Sequence, residues 1–409
     1  MRLGTANSYD RTLLNLTTRQ ADLADMQEKL SAGKRVLRAS DDPTGAAQAE
    51  RSQTRLTRVE IEQRALNLQR NSMALAESTL GDAQGLMQQI RQLSVQAGDA
   101  TLTPADRRSL AQEMRSLRDQ IFTYANKQDS NGVPLFGGLG SANAPFVDVI
   151  SGVTFNGIPG QQSGGPVSIP PVMDGQAVFM NVPTGNGVFN LNLGTNSVTP
   201  GPNQGQLWTD VGRVLTPSAV TGHNYTVNFN VSATVPPVTT YDVYDDTLDP
   251  GHAAPVLAAQ PYTDGQDITF DGISFVARGV PANGDTLSIS PSTRTNVFAV
   301  LDAAIAAVDG QPNGHVFTQN NSLALAQIDS AMERLQSARG TAGELLKRAD
   351  IIDNNQIDKT IQLEADRSRA EDMDMIKGIS EFQTKQTGYS AALQTYAQIQ
   401  RLSLFNFLS

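Results

Sequence analysis

The residues with the most chemical potential are three histidines, His223, His252 and His315, and a run from Tyr241 to Asp249 that holds Asp242, Asp245, Asp246 and Asp249. Two imidazoles on one metal need neighbouring positions, such as i and i+4 on a helix, and none of these histidines has such a partner. Scattered in this way, they read as loop or surface residues. The carboxylate run offers the hard oxygen ligands calcium takes. It lacks the Gly at the sixth position and the Glu at the twelfth of an EF-hand loop, so a solvated loop or edge strand is the better reading. Gly137-Gly138-Leu139-Gly140 resembles a fragment of a phosphate-binding loop, but the third glycine is missing and Pro145 follows where a helix N-terminus should receive the phosphate. It reads instead as a flexible hinge. Cysteine is absent, which removes thiol nucleophiles, disulfides and Cys-based metal centres together. No G-x-S-x-G elbow or P-loop occurs, and acidic pairs such as Asp41-Asp42 are merely consecutive. No catalytic, cofactor-binding or metal-binding residue is expected, although a carboxylate pair assembled only by folding stays open.

The charge balance excludes further classes. The chain has 409 residues and a net charge of −10, which argues against a nucleic-acid partner. Residues 141–290 hold eleven Asp against only Arg213 and Arg278 and so carry −9 by themselves, whereas the rest of the chain has 29 basic and 30 acidic residues. That near balance suits helices whose faces alternate in sign. The most apolar stretch, Val297 to Val308, is broken by Asp302 and too short to span a bilayer, so no membrane partner is expected. Polar residues interleave from Met1 to Leu30, which leaves no room for the apolar stretch of a cleaved secretory signal. A soluble protein, or one exported without such a signal, is expected.

Glycine and proline divide the chain into elements. Fifteen of the 20 prolines and eighteen of the 34 glycines lie between residues 141 and 290. Outside that block apolar residues recur at three and four; inside it they alternate at two. In the first arm Leu13, Leu16, Leu23 and Leu30 fit a heptad frame with Gln20 and Gln27 in its gaps. Ser31-Ala32-Gly33 interrupts it, and Asp42 before Pro43 then supplies a capped helix start. Leu56, Val59, Leu66, Met73, Leu80 and Met87 hold a second frame that ends at Gly98-Asp99. Thr103-Pro104-Ala105-Asp106 starts a third helix carrying Leu110, Met114, Leu117, Ile121 and Tyr124. The last arm mirrors this, with a short helix near Thr295–Val308 and a long one from about Ser322. A final frame starts at Met375 and runs through Ile379, Phe382, Gln386, Tyr389, Leu393, Tyr396, Gln400, Ser403 and Phe407, a rod of roughly 50 Å at 1.5 Å per residue.

Stripes this narrow bury one helix against another and cannot wrap a globular core. The fold class expected is therefore α+β and elongated, with N- and C-terminal coiled-coil arms paired antiparallel and an inserted antiparallel β domain. Residues 1–40 with 365–409 form the terminal coiled coil, 41–138 with 291–364 a helical rod, and 139–290 the insert. Strands are expected at Ala177–Val182, Val188–Leu193, Tyr225–Val231, Ile273–Val276 and Thr286–Ile289. Asp271-Gly272 and Asn283-Gly284-Asp285 serve as hairpin turns of a sandwich or barrel. The C-terminal run Leu402-Ser403-Leu404-Phe405-Asn406-Phe407-Leu408 is apolar beyond one stripe, more than a lone chain end tolerates exposed, so self-association or a neighbouring subunit is expected to cover it.

Two terminal segments carry a family resemblance. Leu30-Ser31-Ala32-Gly33-Lys34-Arg35-Val36 and Ser40-Asp41-Asp42-Pro43-Thr44-Gly45-Ala46-Ala47-Gln48-Ala49 are similar to the flagellin superfamily. The S-D-D-P form is that of its junction members rather than of filament subunits. Gly279-Val280-Pro281-Ala282-Asn283-Gly284-Asp285-Thr286 and Leu402-Ser403-Leu404-Phe405 extend the likeness over about two thirds of the chain. The resemblance implies a structural subunit of the bacterial flagellum at the hook–filament junction, exported through the flagellum's own channel and active outside the cell. It implies as partners other copies of the chain, a hook-associated protein on the hook side, flagellin on the filament side and a cytoplasmic export chaperone. The assembly interface is placed at Leu13, Leu16, Leu23, Leu30, Ile379, Phe382, Tyr389, Leu393, Tyr396, Phe405 and Phe407. A filament flagellin, or a secreted adhesin or enzyme working through the insert, are the alternatives.

Overall fold

The computed structural model describes residues 5–140 and 144–407, and the side chains of residues 10–140 and 144–398. Helices α1 (Thr5–Ala32), α2 (Pro43–Ala97) and α3 (Pro104–Ala125) come first. Then follow β1 (Phe146–Val149), β2 (Gly152–Phe155), α4 (Gly175–Phe179), β3 (Val182–Pro183), β4 (Phe189–Leu193), β5 (Trp208–Thr209), β6 (Arg213–Val214), β7 (Tyr225–Val231) and β8 (Thr239–Asp245). Next come β9 (Leu257–Pro261), β10 (Gln266–Phe270), β11 (Ile273–Arg278), β12 (Thr286–Pro291) and β13 (Arg294–Thr295). The chain closes with α5 (Val297–Val308), α6 (His315–Glu371) and α7 (Met375–Phe407). The helical arms, the mixed centre and an α+β class thus stand as the periodicity indicates.

Two compact units make up the chain. The first comprises Met1–Ala65 with Ile351–Ser409, the second Leu66–Asp350. The first has 17 basic and 17 acidic residues, so the whole net charge of −10 belongs to the second.

The second unit contains two antiparallel sheets sharing one core. One has the order β4-β12-β7-β8-β9; the other is β10-β11-β5, with β6 also on β11. Alternation along β7 sends Tyr225, Val227 and Phe229 inward, where they meet Tyr241 and Val243 of β8 and Phe270, Ile273 and Phe275 of the opposite sheet. Each such side chain contributes about 1.5–3 kcal/mol by leaving water. Asp271 and Gly272, with φ of 43° and 77°, form the two-residue turn between β10 and β11, whose left-handed backbone matches the strand twist.

Several expectations change here. Asn283-Gly284-Asp285 does not close a hairpin, because β11 and β12 belong to different sheets. The segment instead carries a buried acceptor: Asp285 Oδ1 accepts from Asn196 Nδ2 at 2.9 Å and the Gln204 amide at 2.8 Å, and Oδ2 from the Gly205 and Ala282 amides at 2.8 Å each. Four donors on one carboxylate pin the crossing loops.

In the stretch Ala177–Val182 a single helical turn, α4, stands where a strand was expected. Asp174 accepts from the Gln176 amide at 3.0 Å, and the turn places Phe179 among Phe136, Phe146 and Phe298, with ring centroids 5.3, 5.3 and 6.0 Å away. The glycine run is no hinge. Gly137 and Gly138 are buried, bridged to Asp174 and Ile158, and a Cβ on Gly138 would lie 2.1 Å from the Ile158 carbonyl oxygen. Close backbone approach, not flexibility, is what glycine supplies there.

The arms of this unit are built as the capping signals indicate. Thr103 and Asp106 form a reciprocal capping box at α3. Arg107 is fully buried and donates to the carbonyls of Ala97 (3.0 Å), Asp99 (3.2 Å) and Gln311 (2.9 Å) and to Asn313 Oδ1, so it caps the end of α2 with its guanidinium over Phe317. Antiparallel cross-links between α2 and α6 run Arg70–Asp350, Glu77–Arg339 and Arg91–Asp329. Helix α6 starts seven residues earlier than expected. Its polar first turns are used inside the unit: Gln319 accepts from the Thr209 amide at 2.7 Å and Asn321 donates to the Ser94 carbonyl at 3.1 Å.

In the first unit α2 and α6 meet through Leu56, Val59 and Leu363, flanked by Gln53–Arg367 and Gln63–Asp353 hydrogen bonds. This is a narrow contact, as a heptad seam dictates.

Candidate assembly interface

Three carboxylates and two glycines organise the turn from α1 into α2. Gly33, at φ 67°, ends α1 in the left-handed conformation. Asp41 Oδ2 then accepts from the Leu37 and Arg38 amides at 3.1 Å each, and those two bonds hold its carboxyl below the usual carboxylate range. Asp42 Oδ1 accepts from the amides of Gly45 (3.0 Å) and Thr44 (3.1 Å) and from the Thr44 hydroxyl (2.7 Å). The Gly45 amide, the Thr44 hydroxyl and then Arg35 push its carboxyl far below the ordinary range. Position 45 is buried and suits glycine, since a Cβ there would strike Asp42 Oδ2 at 2.6 Å and the Ala370 carbonyl oxygen at 3.0 Å. The segment clamps the turn between α6 and α7: the Arg35 and Val36 amides both donate to the Glu371 carbonyl, and Lys34 pairs with Glu371 at 3.1 Å. Asp42 thus caps α2 with Pro43 at its first position, as expected; the role of Asp41 was not.

Beyond this clamp α1 and α7 lie side by side. A Cβ on Gly378 would lie 3.1 Å from Leu30 Cδ2, and one on Gly388 3.1 Å from Arg19 Nη1, so residue numbers fall along one helix as they rise along the other. The pair is antiparallel. Leu16 is buried and Leu23 and Leu30 half-buried on α1, and Phe382, Tyr389 and Tyr396 are half-buried on α7. These six lie on the expected heptad lines.

The companion line differs in both helices by one residue. On α1 it passes through buried Met26, leaving Gln20, Gln27 and Leu13 exposed, Leu13 at 46%. On α7 it passes through buried Gly378 and half-buried Ala392, leaving Ile379 at 46% and Leu393 at 43%. Small residues inside let the backbones approach; the larger ones stay in water. Leu14 and Ile376, at 68% and 85%, enlarge the exposed apolar surface. Phe405 and Phe407 lie outside the residues whose side chains are described.

The chemically suggestive residues of the insert have structural partners. Strand β8 lies between β7 and β9 and is not an edge. Its Asp242 accepts from Asn230 Nδ2 and the Ala259 amide, while Asp246 accepts from Thr226 and meets His252 at 2.7 Å. Asp245, buried, meets His223 Nδ1 at 2.7 Å and accepts from the Thr247 and Leu248 amides; burial opposes ionisation, yet His223 and those amides hold its carboxyl below the ordinary range. His315 has a buried Nε2 with no partner among the described residues. No group of three or more His, Cys, Asp or Glu side chains is placed to hold a metal among the described residues. No helix there is long and apolar enough to cross a membrane.

Comparison with known proteins follows the same division. Residues 4–141 match the bacterial flagellin N-terminal helical region and residues 325–408 the C-terminal helical region, together more than half of the chain. The chain is 23% identical to flagellar hook-associated protein 3 of Salmonella typhimurium over 99% of both sequences. It is 32% identical to flagellar hook-associated protein 3 of Escherichia coli over 46% of this chain and 57% of that one. Among solved structures it resembles the flagellar junction protein FlgL from Legionella pneumophila, at 29% identity and a TM-score of 0.67, over 74% of this chain and 99% of that one.

Proposed function

Because the chain belongs to the bacterial flagellin family, we propose that it is a structural subunit of the hook–filament junction, adapting the hook side to the flagellin filament. The observation that carries this is the composition of the terminal pair: Met26, Gly378 and Ala392 fill its seam while Leu13, Leu14, Ile376, Ile379 and Leu393 face outward. A surface of this kind is satisfied when further helices cover it, as happens when copies stack side by side. Leu13, Ile379 and Leu393 are thus contact residues between copies; Leu16, Leu23, Leu30, Phe382, Tyr389 and Tyr396 set the pair that presents them.

In this reading residues 1–40 with 365–409 form the axial core of the assembly, 41–138 with 291–364 its helical rod, and 139–290 an insert facing outward. The subunit contacts other copies of itself, a hook-associated protein on one side and flagellin on the other. It is held before export by a cytoplasmic chaperone and works outside the cell. Its role is structural rather than catalytic: the carboxylates that could do chemistry are acceptors in loops and caps. A filament subunit shares the terminal helices, but the full-length likeness to a junction protein favours the junction.

Deletion of the gene tests the proposal. Cells should keep their hooks and shed flagellin into the medium. Filaments of normal length on deleted cells would contradict it, and a dominant rather than trace band in sheared flagella would make this chain a filament subunit.

A further inference from the structure

The first unit carries a groove of about 370 Å³ whose lining includes Arg51, Ser52 and Arg55 of α2 and Asp366 and Arg369 of α6. Its three guanidiniums face one carboxylate. Arg369 pairs with Asp366, and Arg51 spends only Nε, on the carbonyl of Ala47 in its own helix at 3.0 Å. The Arg55 guanidinium has no hydrogen bond or ion pair among the described residues. Like charges one helical turn apart, as at Arg51 and Arg55, destabilise a helix slightly. A groove that concentrates them gains from an anion supplied from outside.

The unit as a whole is charge-balanced, with 17 basic and 17 acidic residues, so the excess in the groove is matched by carboxylates elsewhere on the same unit. On α1 Asp22, Asp25 and Glu28 recur every third residue and are all exposed. Asp22 has no ion pair among the described residues, Asp25 shares Lys29 at 2.9 Å, and Glu28 reaches exposed Arg38 at 3.3 Å. Carboxylates one turn apart match guanidiniums one turn apart, and the planar fork of arginine donates two parallel N–H bonds to the oxygens of a carboxylate.

We propose that the Arg51–Arg55–Arg369 groove receives the Asp22–Asp25–Glu28 ridge of α1 from a second copy of the chain. This rests on the assembly reading above and names a polar contact that fixes register where the apolar residues supply only cohesion. Apolar stripes tolerate sliding; a charge match rejects wrong alignments and weakens with salt.

The absence of cysteine makes the contact directly testable in full-length protein. Two variants, Arg55→Cys and Asp22→Cys, are co-expressed in cells lacking the native chain, and detached flagella are oxidised. A 55–22 heterodimer should exceed that from a Thr57→Cys and Asp22→Cys pair by about tenfold, since Thr57 lies on another face of α2. In a second arm Arg51→Glu with Arg55→Glu should lower incorporation into flagella about tenfold, and adding Asp22→Arg, Asp25→Arg and Glu28→Arg to the same chain should restore it. Unchanged thermal melting of the purified variants separates this from misfolding. Incorporation with no 55–22 excess over the control, or reversal without rescue, would overturn this contact and leave the junction reading standing. Absence of the unsubstituted chain from flagella would overturn both.

Discussion

The terminal helix pair and the β-sandwich solve the burial problem in opposite ways. In the sandwich the large side chains, Phe229, Tyr241, Phe270 and Phe275, are inside, and the buried carboxylate of Asp285 accepts four hydrogen bonds. In the helix pair one line of the seam holds large side chains such as Leu16, but the other runs through Met26, Gly378 and Ala392 and leaves Leu13, Leu14, Ile376, Ile379 and Leu393 outside. The sandwich is complete as one molecule, whereas the pair carries the apolar surface of something larger. Charge divides along the same line, since the unit with the pair is neutral and the other holds the whole deficit of −10. A neutral unit can stack without repulsion; a strongly acidic one resists non-specific association.

Mutations can break this contrast. Phe229→Ala should cost about 3–5 kcal/mol in urea unfolding, because it opens a cavity in a closed core. Leu23→Ala should cost less than about 1.5 kcal/mol in the isolated chain, since this side chain is only half-buried in a two-helix seam. Equal costs would erase the distinction between the two regions. Asp285→Ala should cost about 3 kcal/mol by stranding four donors, and little rescue is expected from Asn, whose amide would face N–H groups.

Titration sharpens the comparison. Burial, with Asp271 adding to it, pushes the Tyr225 phenol up to about 12, and burial with Asp264 does the same for Tyr262. A raised folded value means a stabilising contribution intact below pH 10 and lost as pH rises toward 12, so the sandwich should loosen in that window when near-ultraviolet dichroism is followed. The turn before α2 has the opposite sign. Asp41 and Asp42 are depressed below 3.8, so their contribution is present above that pH and lost as acid protonates them. Amides at Thr44 and Gly45 should gain exchange in acid, and a pH-independent rate after correction for intrinsic exchange would contradict this. Smallest of all, Thr103→Ala should remove about 1 kcal/mol through its capping box, with the melting temperature as the readout.

How far these features could be read from sequence depends on the residue type carrying each signal. Leu16, Leu23 and Leu30, like Phe382, Tyr389 and Tyr396, announce one heptad line because their side chains are large. The companion line was hidden, since a seam through Gly378 and Ala392 leaves little hydropathy to find, and Leu13 outweighs Met26 by sequence alone. The step from Leu23 to Met26 to Leu30 was the available clue. Capping at Asp42 and Thr103 was legible because it is local. Gly137-Gly138 was misread because glycine marks both loose and tightly approached backbone, and only the Ile158 carbonyl decides between them. The Ala177–Val182 segment is a short apolar run of the kind a strand uses, but the ring cluster around Phe179 is non-local and wins.

Hydrogen exchange of the isolated full-length chain tests the central claim most directly. The account predicts slow exchange in β7, β8 and β11 and exchange many times faster in α1 and α7, the latter slowing when the chain is measured in detached flagella. Protection of α1 and α7 in the lone chain equal to that of the sandwich strands would show that the pair satisfies itself, and would contradict the account.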